Sequence, residues 1–428
     1  MFLLILSLCF TKSFSFFIGV STSSYQIEGQ NKGVSIWDVY TQKNNLHPVG
    51  NATNHFLYYK NDIKTMHELG IKNYRMSISW TRIMPHAWNE IDPEGIQFYH
   101  NIFDECLRYN ITPYATIYHW DLPEYLDISM NGWLNESIVH YFLDYSKILF
   151  QEYKDKVKFW MTINEPLTTS TQGYGKSCNF APGRCSEENQ FLSARNQLLA
   201  HAYVGYHYKS NYEGDIGIVL NTNWIEPIDK NLASQKCAET RMEESFGWFM
   251  DPLFFGEYPD VYKDMLMPFN ETEKNMLIHS YTFLGLNHYT TYYINSNCKE
   301  SVSPDWTQAK STWLFDQPRG LEKLLRYIGK KYTKTLPIYI TECGFSQKND
   351  TLLDLERTHY LVGYINKAHK IIMDNIVNLK GFFVWSFLDN FEWSSGYNET
   401  FGIIKVDENC TRKLKLSALV LKNMIPFL

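Results

Sequence analysis

What this chain lacks narrows its function first. Beyond the extreme N-terminus no apolar stretch is long enough to cross a bilayer, so no integral membrane span is expected. Basic residues are scattered, Lys330-Lys331 is only a local pair, and the formal charge is −6, which argues against a nucleic-acid partner. The sequence contains no glycine loop of the kind that cradles phosphate and no His/Cys/Asp/Glu cluster at metal-ligand spacing, so neither a cofactor nor a metal is expected. It also lacks a low-complexity linker, a charged tail and any repeat at a solenoid period. Length alone, 428 residues, suggests about two or three domains, but a 44% hydrophobic chain of this size also folds as one α/β barrel.

The N-terminus is the exception to the missing apolar runs. Phe2 to Phe10 is almost unbroken apolar sequence, followed by Lys12 and small hydroxyl residues. It is too short to span a membrane and reads as a secretory signal, although its first residues carry no positive side chain. Ser13-Phe14-Ser15 offers a small-x-small cleavage site, giving a signal peptide over 1–15 and a mature domain over 16–428. Acceptor tripeptides at Asn51, Asn110, Asn135, Asn270, Asn349, Asn398 and Asn409 agree with passage through the secretory pathway to an extracellular, lysosomal or vacuolar lumen. Removing Cys9 leaves an odd set of cysteines. Cys178 and Cys185 flank a short loop and are candidates to staple it, and Cys106 fits a free core thiol. The spacings of Cys237, Cys298 and Cys410 suggest no pairing.

Strand-like and helix-like segments alternate along the rest. Strands are expected near Phe16–Val20, Ile71–Ile78, Thr112–Tyr118, Val157–Ile163, Ile216–Leu220, Phe283–His288, Ile338–Thr341 and Gly381–Ser386. Most are apolar runs without polar alternation, as strands covered on both faces should be. Amphipathic stretches separate them at Phe56–Leu69, Ile96–Tyr109, Ile138–Tyr153, Phe191–Tyr212, Leu321–Tyr332 and Leu352–Val377, with Thr351 expected to cap the last. The alternation predicts a single closed (β/α)8 TIM barrel; an open doubly wound sheet is the alternative. Polar and aromatic residues gather at the C-terminal ends of successive strands, where a barrel would make them converge on one mouth.

Two of those residues carry a chemical suggestion. Glu165, in Thr162-Ile163-Asn164-Glu165-Pro166, and Glu342, in Ile340-Thr341-Glu342-Cys343-Gly344, each follow an apolar run and precede a structure breaker. Paired carboxylates at strand ends are what glycoside hydrolysis requires: one protonates the leaving oxygen, the other attacks the sugar. Either glutamate alone is more simply read as a cap or an ion-pair partner.

Around them lie Ser24-Tyr25-Gln26-Ile27-Glu28-Gly29, Tyr74-Arg75-Met76-Ser77-Ile78-Ser79-Trp80, Tyr118-His119-Trp120-Asp121-Leu122-Pro123, Asp251-Pro252-Leu253-Phe254, Gly285-Leu286-Asn287-His288-Tyr289 and Trp385-Ser386-Phe387-Leu388-Asp389-Asn390-Phe391-Glu392-Trp393. In this order, and over nearly the whole mature chain, the motifs resemble glycoside hydrolase family 1, the β-glucosidase family. The resemblance implies a retaining enzyme acting on a small β-glycoside or oligosaccharide, with Glu342 as nucleophile, Glu165 as acid/base and carboxyls about 5–5.5 Å apart. Arg75 and Tyr289 would support the nucleophile. Gln26, His119, Asn164 and Glu392 would bond sugar hydroxyls, Trp385 would stack under the ring, and Trp393 would reach a distal hydroxyl. Trp313 resembles the aglycone platform, and Trp120, Asn287 and Phe401 fall in or beside the same motifs and join the expected substrate-binding set. Aromatic residues make up 16% of the chain, and most must simply be core.

Glu392 implies a neutral rather than a 6-phosphorylated sugar, and Glu165, where thioglucosidases carry Gln, implies an O-glycoside. Three departures from the family pattern stand out. Cys343 replaces the usual Asn after the nucleophile, Thr400 replaces a charged residue before Phe401, and the segments Ile27–Asp38 and Tyr40–Asn54 are short, which predicts a more open mouth on that side. A transglycosidase would use the same residues and differ in its products with an added acceptor. A catalytically dead glycan-binding member would be marked by loss of a carboxylate, and both are present. The choice among glucose, galactose and fucose is left open, as is the oligomeric state.

Overall fold

The computed structural model describes residues 16–348 and 351–427; the expected signal peptide and Asn349 lie outside them. Eight parallel strands form a closed barrel, here β1 (Phe17–Ser21), β2 (Asn73–Ser77), β3 (Thr112–Tyr118), β4 (Phe159–Asn164), β5 (Asp215–Asn221), β6 (Phe283–Asn287), β7 (Ile338–Cys343) and β8 (Leu379–Trp385). Each pairs with its sequence neighbour, and β1 closes the ring against β8, with Phe17 opposite Gly381 and Ser21 opposite Trp385. All eight expected strands are present, and the open-sheet alternative is excluded.

The floor of the barrel is aromatic. Tyr114, Met161, Val219, Phe283, Tyr339 and Phe383 form one buried cluster, with Phe17 and Phe159 packed against it. Rings of this size need room inside a narrow barrel, and glycines in the strands provide it. A Cβ at Gly19 would stand 2.7 Å from the Phe383 ring, and one at Gly381 would stand 2.5 Å from the Phe17 ring. Strand glycines that look unfavourable by propensity are therefore the complement of the aromatic plug. The other large cluster fills the shell between strands and helices.

The helix over Ile138–Tyr153 has the expected bounds, and those at His55–Glu68, Pro93–Arg108, Glu187–Asn211 and Arg319–Lys331 differ only at their ends. The expected cap at Thr351 is incorrect. That helix runs over Leu355–Met373, and Thr351 merely accepts a bond from the Leu353 N–H at 3.2 Å. Asp354 precedes the helix, and its carboxylate is bound by Arg357 at 2.7 Å and Ser417 at 2.6 Å. The sequence reading also did not anticipate the helices between β5 and β6. Trp248–Phe255, for example, is apolar at every position but Asp251 and contains Pro252, so it shows no amphipathic period.

The disulfide Cys178–Cys185 is present, as is Cys237–Cys298, which spacing did not suggest. Cys106 is a free, buried thiol.

The loop after β1 is tied to the loop after β2 by buried charge. Arg82 lies between the rings of Phe56 and Phe98, 4.7 Å from each centroid. Its Nε donates to Glu28 at 2.9 Å, and the Tyr99 hydroxyl donates to the same carboxylate at 2.9 Å. Glu28 stands two residues from Gln26, so this pair anchors the first motif. Glu28→Ala should leave a buried, unpaired guanidinium and cost about 3–5 kcal/mol. Urea unfolding of the variant against wild type measures that loss.

Candidate active site

The barrel mouth is organised by Arg75 on β2, which is wholly buried. Its side chain rises from the aromatic floor, with Nε donating to Met161 Sδ at 3.2 Å. Nη1 donates to Glu342 Oε1 at 2.6 Å and to the Thr341 carbonyl at 3.1 Å, while Nη2 donates to Asn164 Oδ1 at 2.7 Å. One guanidinium thus holds the C-terminal ends of β4 and β7 together. The Tyr289 hydroxyl donates to the other oxygen of Glu342 at 2.9 Å. Burial, then the charge of Glu342, pushes the Tyr289 phenol up, so it stays a donor.

Both glutamates are delivered by irregular backbone. From Met161 to Asn164, β4 advances three residues while β5 advances two, from Gly217 to Val219. From Ile340 to Glu342, β7 advances two residues against one on β6, Leu286 to Asn287. An extra residue of this kind re-aims side chains at a strand end. Glu165 then takes a left-handed conformation (φ 49°, ψ 64°), which costs about 1–2 kcal/mol for an L-residue with a Cβ. The kink lets successive residues, Asn164 and Glu165, both face the mouth. Gly344, after β7, is required for a different reason: a Cβ there would stand 1.7 Å from the Trp385 carbonyl oxygen.

Glu165 accepts from Asn287 Nδ2 at 2.7 Å and from the Thr168 hydroxyl at 2.7 Å. Its pKa is raised to about 7, first by burial and then by the charge of Glu342, against the opposing effect of those two bonds and Arg75. A carboxyl that holds its proton near neutrality beside a second, cation-bound carboxylate has the arrangement of an acid and a nucleophile.

The hydrogen-bond pattern assigns roles that motif position left open. Asn164 Oδ1 accepts from Arg75 and from Asn287, so its Nδ2 faces His119 Nε2 at 3.2 Å. Burial, then Arg75, holds the His119 pKa well below its usual value, so the ring is neutral. Nε2 is the acceptor and Nδ1 carries the hydrogen, and Nδ1 has no partner in the protein. It is a free donor inside the site.

Asn287, expected to contact substrate, is instead committed to the protein. Its amide bonds Glu165 and Asn164, and its oxygen accepts from Thr341 at 2.7 Å. The Trp120 indole N–H is likewise occupied by the Asn164 carbonyl at 2.9 Å.

Gln26 Nε2 donates to Asn390 at 2.9 Å, to the Phe391 carbonyl at 2.8 Å and to Glu392 at 3.3 Å. Burial, then Glu399 and Glu342, raises the Glu392 carboxyl well above its usual range. Trp385 and Trp393 both stack on His119, with centroids 5.9 Å and 6.1 Å away. Trp313 is 45% exposed and meets the Tyr289 ring edge-on at 5.6 Å, which leaves much of its surface open at the rim. Phe401 is buried and also edge-on to Tyr289, at 6.3 Å, so it backs that tyrosine. Thr168, Thr341 and Met161 complete the site but carried no distinguishing signal. Thr341, directly before Glu342, and Thr168, three residues beyond Glu165, were the two placed to be noticed.

The departures also find their places. Cys343 is buried beside the Tyr360 hydroxyl at 3.5 Å, and burial pushes its thiol up, so it is a neutral packing group behind Glu342. The Thr400 carbonyl accepts from the Gln347 N–H at 3.1 Å and from Arg357. A cleft of about 710 Å³ lies between residues 29–32 and 41–50, and none of the expected site residues lines it. The Tyr25 hydroxyl bonds the cleft-lining Asp38 at 3.0 Å, and its ring stacks on Trp393.

Comparison with known proteins agrees with this geometry. The family model described as Glycosyl hydrolase family 1 matches residues 9–426. Rice (Oryza sativa subsp. japonica) β-glucosidase 4 is 38% identical, covering 92% of this chain and 90% of its own length. Among solved structures, β-glucosidase 2 of Trichoderma reesei superposes with a TM-score of 0.92 at 34% identity, covering 97% of this chain and 98% of its own. A rice β-glucosidase mutant in a covalent complex with glucose superposes at 0.91 and 32% identity, covering 96% and 98%. The chain is a glycosidase, and it belongs to glycosyl hydrolase family 1.

Proposed function

We propose that this enzyme is a retaining β-glucosidase that removes terminal, non-reducing β-D-glucosyl residues from neutral O-glycosides. The observation that carries this reading is the pairing of a desolvated, proton-holding Glu165 with a Glu342 bound by Arg75 and Tyr289.

In the first step a Glu342 oxygen attacks the anomeric carbon and the bond to the aglycone oxygen breaks. Glu165 donates its proton to that oxygen. In the second, water attacks the anomeric carbon and gives a proton to Glu165. The glycosyl bond to Glu342 breaks, and the configuration is restored. The His119 Nδ1–H, the remaining Asn164 amide hydrogen and the Glu392 carboxyl supply the polar lining for sugar hydroxyls, Gln26 holds that carboxyl in place through its amide, and Trp385 supplies an apolar face. The names of the relatives, and the covalent glucose of the rice structure, support glucose as the sugar and a covalent intermediate.

The N-terminal apolar run, the acceptor asparagines and two disulfides support a secretory route for the protein.

Release of nitrophenol from aryl β-glucoside, β-galactoside and β-fucoside tests the reading. Wild type should prefer the glucoside, and Glu342→Gln should retain less than about a thousandth of its rate. Inactivity of wild type on all three, with sugar binding retained, would favour a binding protein instead.

The pH profile provides a separate check. Glu165 must be protonated to act as acid, so kcat/KM should fall as pH rises through about 7. Asn287→Ala removes a bond that favours the ionised form of Glu165, so its alkaline limb should move upward. Glu165→Gln should lose that limb and slow cleavage of an alkyl glucoside by roughly 10²–10⁴-fold. A dinitrophenyl glucoside, whose leaving group needs no proton, should be cleaved far less slowly.

A further inference from the structure

Two segments that bear the expected substrate-binding aromatics are joined by one acid that the mechanism does not use. Glu399 lies in the segment between Trp393 and Phe401, and its carboxylate accepts two hydroxyl donors from different parts of the chain. The Ser311 hydroxyl, two residues before Trp313, donates to Oε2. The Ser395 hydroxyl, two residues after Trp393, donates to Oε1 at 3.0 Å.

Counting hydrogens fixes the direction of the chain. Ser346 Oγ accepts the Ser311 N–H at 2.8 Å and lies 2.7 Å from Ser311 Oγ. Since Ser311 spends its only hydroxyl hydrogen on Glu399, Ser346 must donate to Ser311. Every proton in the series therefore points towards Glu399, which ends it as an anionic acceptor. Ser311 and Ser346 are wholly buried. Charge-assisted bonds of this kind are shorter and roughly twice as strong as neutral ones.

The bonds connect three functional segments. Ser346 follows β7, the strand of Glu342, and its carbonyl also accepts the Lys310 N–H at 2.9 Å. Ser311 opens the turn that carries Trp313, closed by the Leu314 N–H to the Ser311 carbonyl at 3.1 Å. Ser395 belongs to the turn of Glu392 and Trp393, where its N–H bonds the Glu392 carbonyl at 2.9 Å.

We propose that Glu399 is a positioning residue that locks the Trp313 turn to the Glu392–Trp393 turn, so that the aglycone wall and the sugar-binding wall hold one spacing relative to Glu342. This proposal rests on the β-glucosidase reading above. Glu399 acts through Trp313 and Glu392 and does not itself touch the reacting atoms.

The test uses full-length enzyme and compares nitrophenyl β-glucoside with methyl β-glucoside, whose aglycone is too small to reach a platform. Glu399→Ala should lower kcat/KM on the nitrophenyl substrate by about tenfold, the loss expected for bonds to a charged group. Its effect on the methyl substrate should be several-fold smaller, and the inhibition constant for glucose should rise. Glu399→Gln replaces one acceptor with a donor facing a serine hydroxyl, so it should fall between Ala and wild type. In a Trp313→Ala background, Glu399→Ala should cost less than about threefold, because coupled residues are not additive.

Should Glu399→Ala fold poorly, Ser311→Ala removes the same link without touching the Glu392 turn, and it should reproduce the aryl-selective loss. Equal losses on both substrates, or full additivity with Trp313→Ala, would overturn the proposal. So would wild-type kinetics in both Glu399→Ala and Ser311→Ala. Failure of the β-glucosidase reading would look different, as inactivity of wild type on either glucoside.

Discussion

The structure of the mouth depends on one buried cation. Arg75 has no exposed surface, and a guanidinium in that position is tolerable only if each of its nitrogens finds an acceptor. The matches come from Met161 below and from Thr341, Glu342 and Asn164 above. Satisfying Arg75 therefore fixes the ends of two strands that do not pair with each other, β4 and β7. The aromatic plug serves the same end from beneath. It excludes water from the lumen and leaves the guanidinium no solvent to turn to, so the ion pair has one geometry available to it.

The same exclusion of water sets the chemistry of Glu165. In water a second carboxylate nearby would be screened; here burial is the larger effect and Glu342 adds to it. Asn287 and Thr168 pull in the other direction, since both donate to the carboxylate. The Glu165 carboxyl is thus poised by opposed contributions from β6, from the turn after β4 and from Glu342. Burial alone would give a stronger hold on the proton, and hydrogen bonds alone a weaker one. A general acid that must give up its proton and then take one back from water needs the balance between them.

Much of this was legible in the sequence, and the reasons are specific. Strands buried on both faces leave apolar runs, so all eight were found, and acids and amides at their C-terminal ends marked the mouth. The bulges in β4 and β7 were not legible, because an extra residue in one strand is defined only against its neighbour's register. Asn287 shows the same limit: its motif identified it, but only the hydrogen-bond network showed that its amide is spent on Glu165 and Asn164 rather than left for a sugar. The apolar helix at Trp248–Phe255 and the bond between Cys237 and Cys298 depend on tertiary neighbours in the same way.

The departure at Cys343 follows from which side of β7 it occupies. Glu342 faces the lumen, while Cys343 is packed beside Tyr360. Tyr360 also donates to the Tyr289 carbonyl at 2.6 Å, so the thiol touches the group that braces Glu342's own partner. A neutral, buried sulfur there contributes volume and a weak hydrogen bond, but no charge. An ionised thiolate would set a second negative charge behind Glu342, on the side away from Arg75, and burial suppresses that form. The position thus tolerates cysteine because the dry interior beside β7 keeps the thiol in its neutral form.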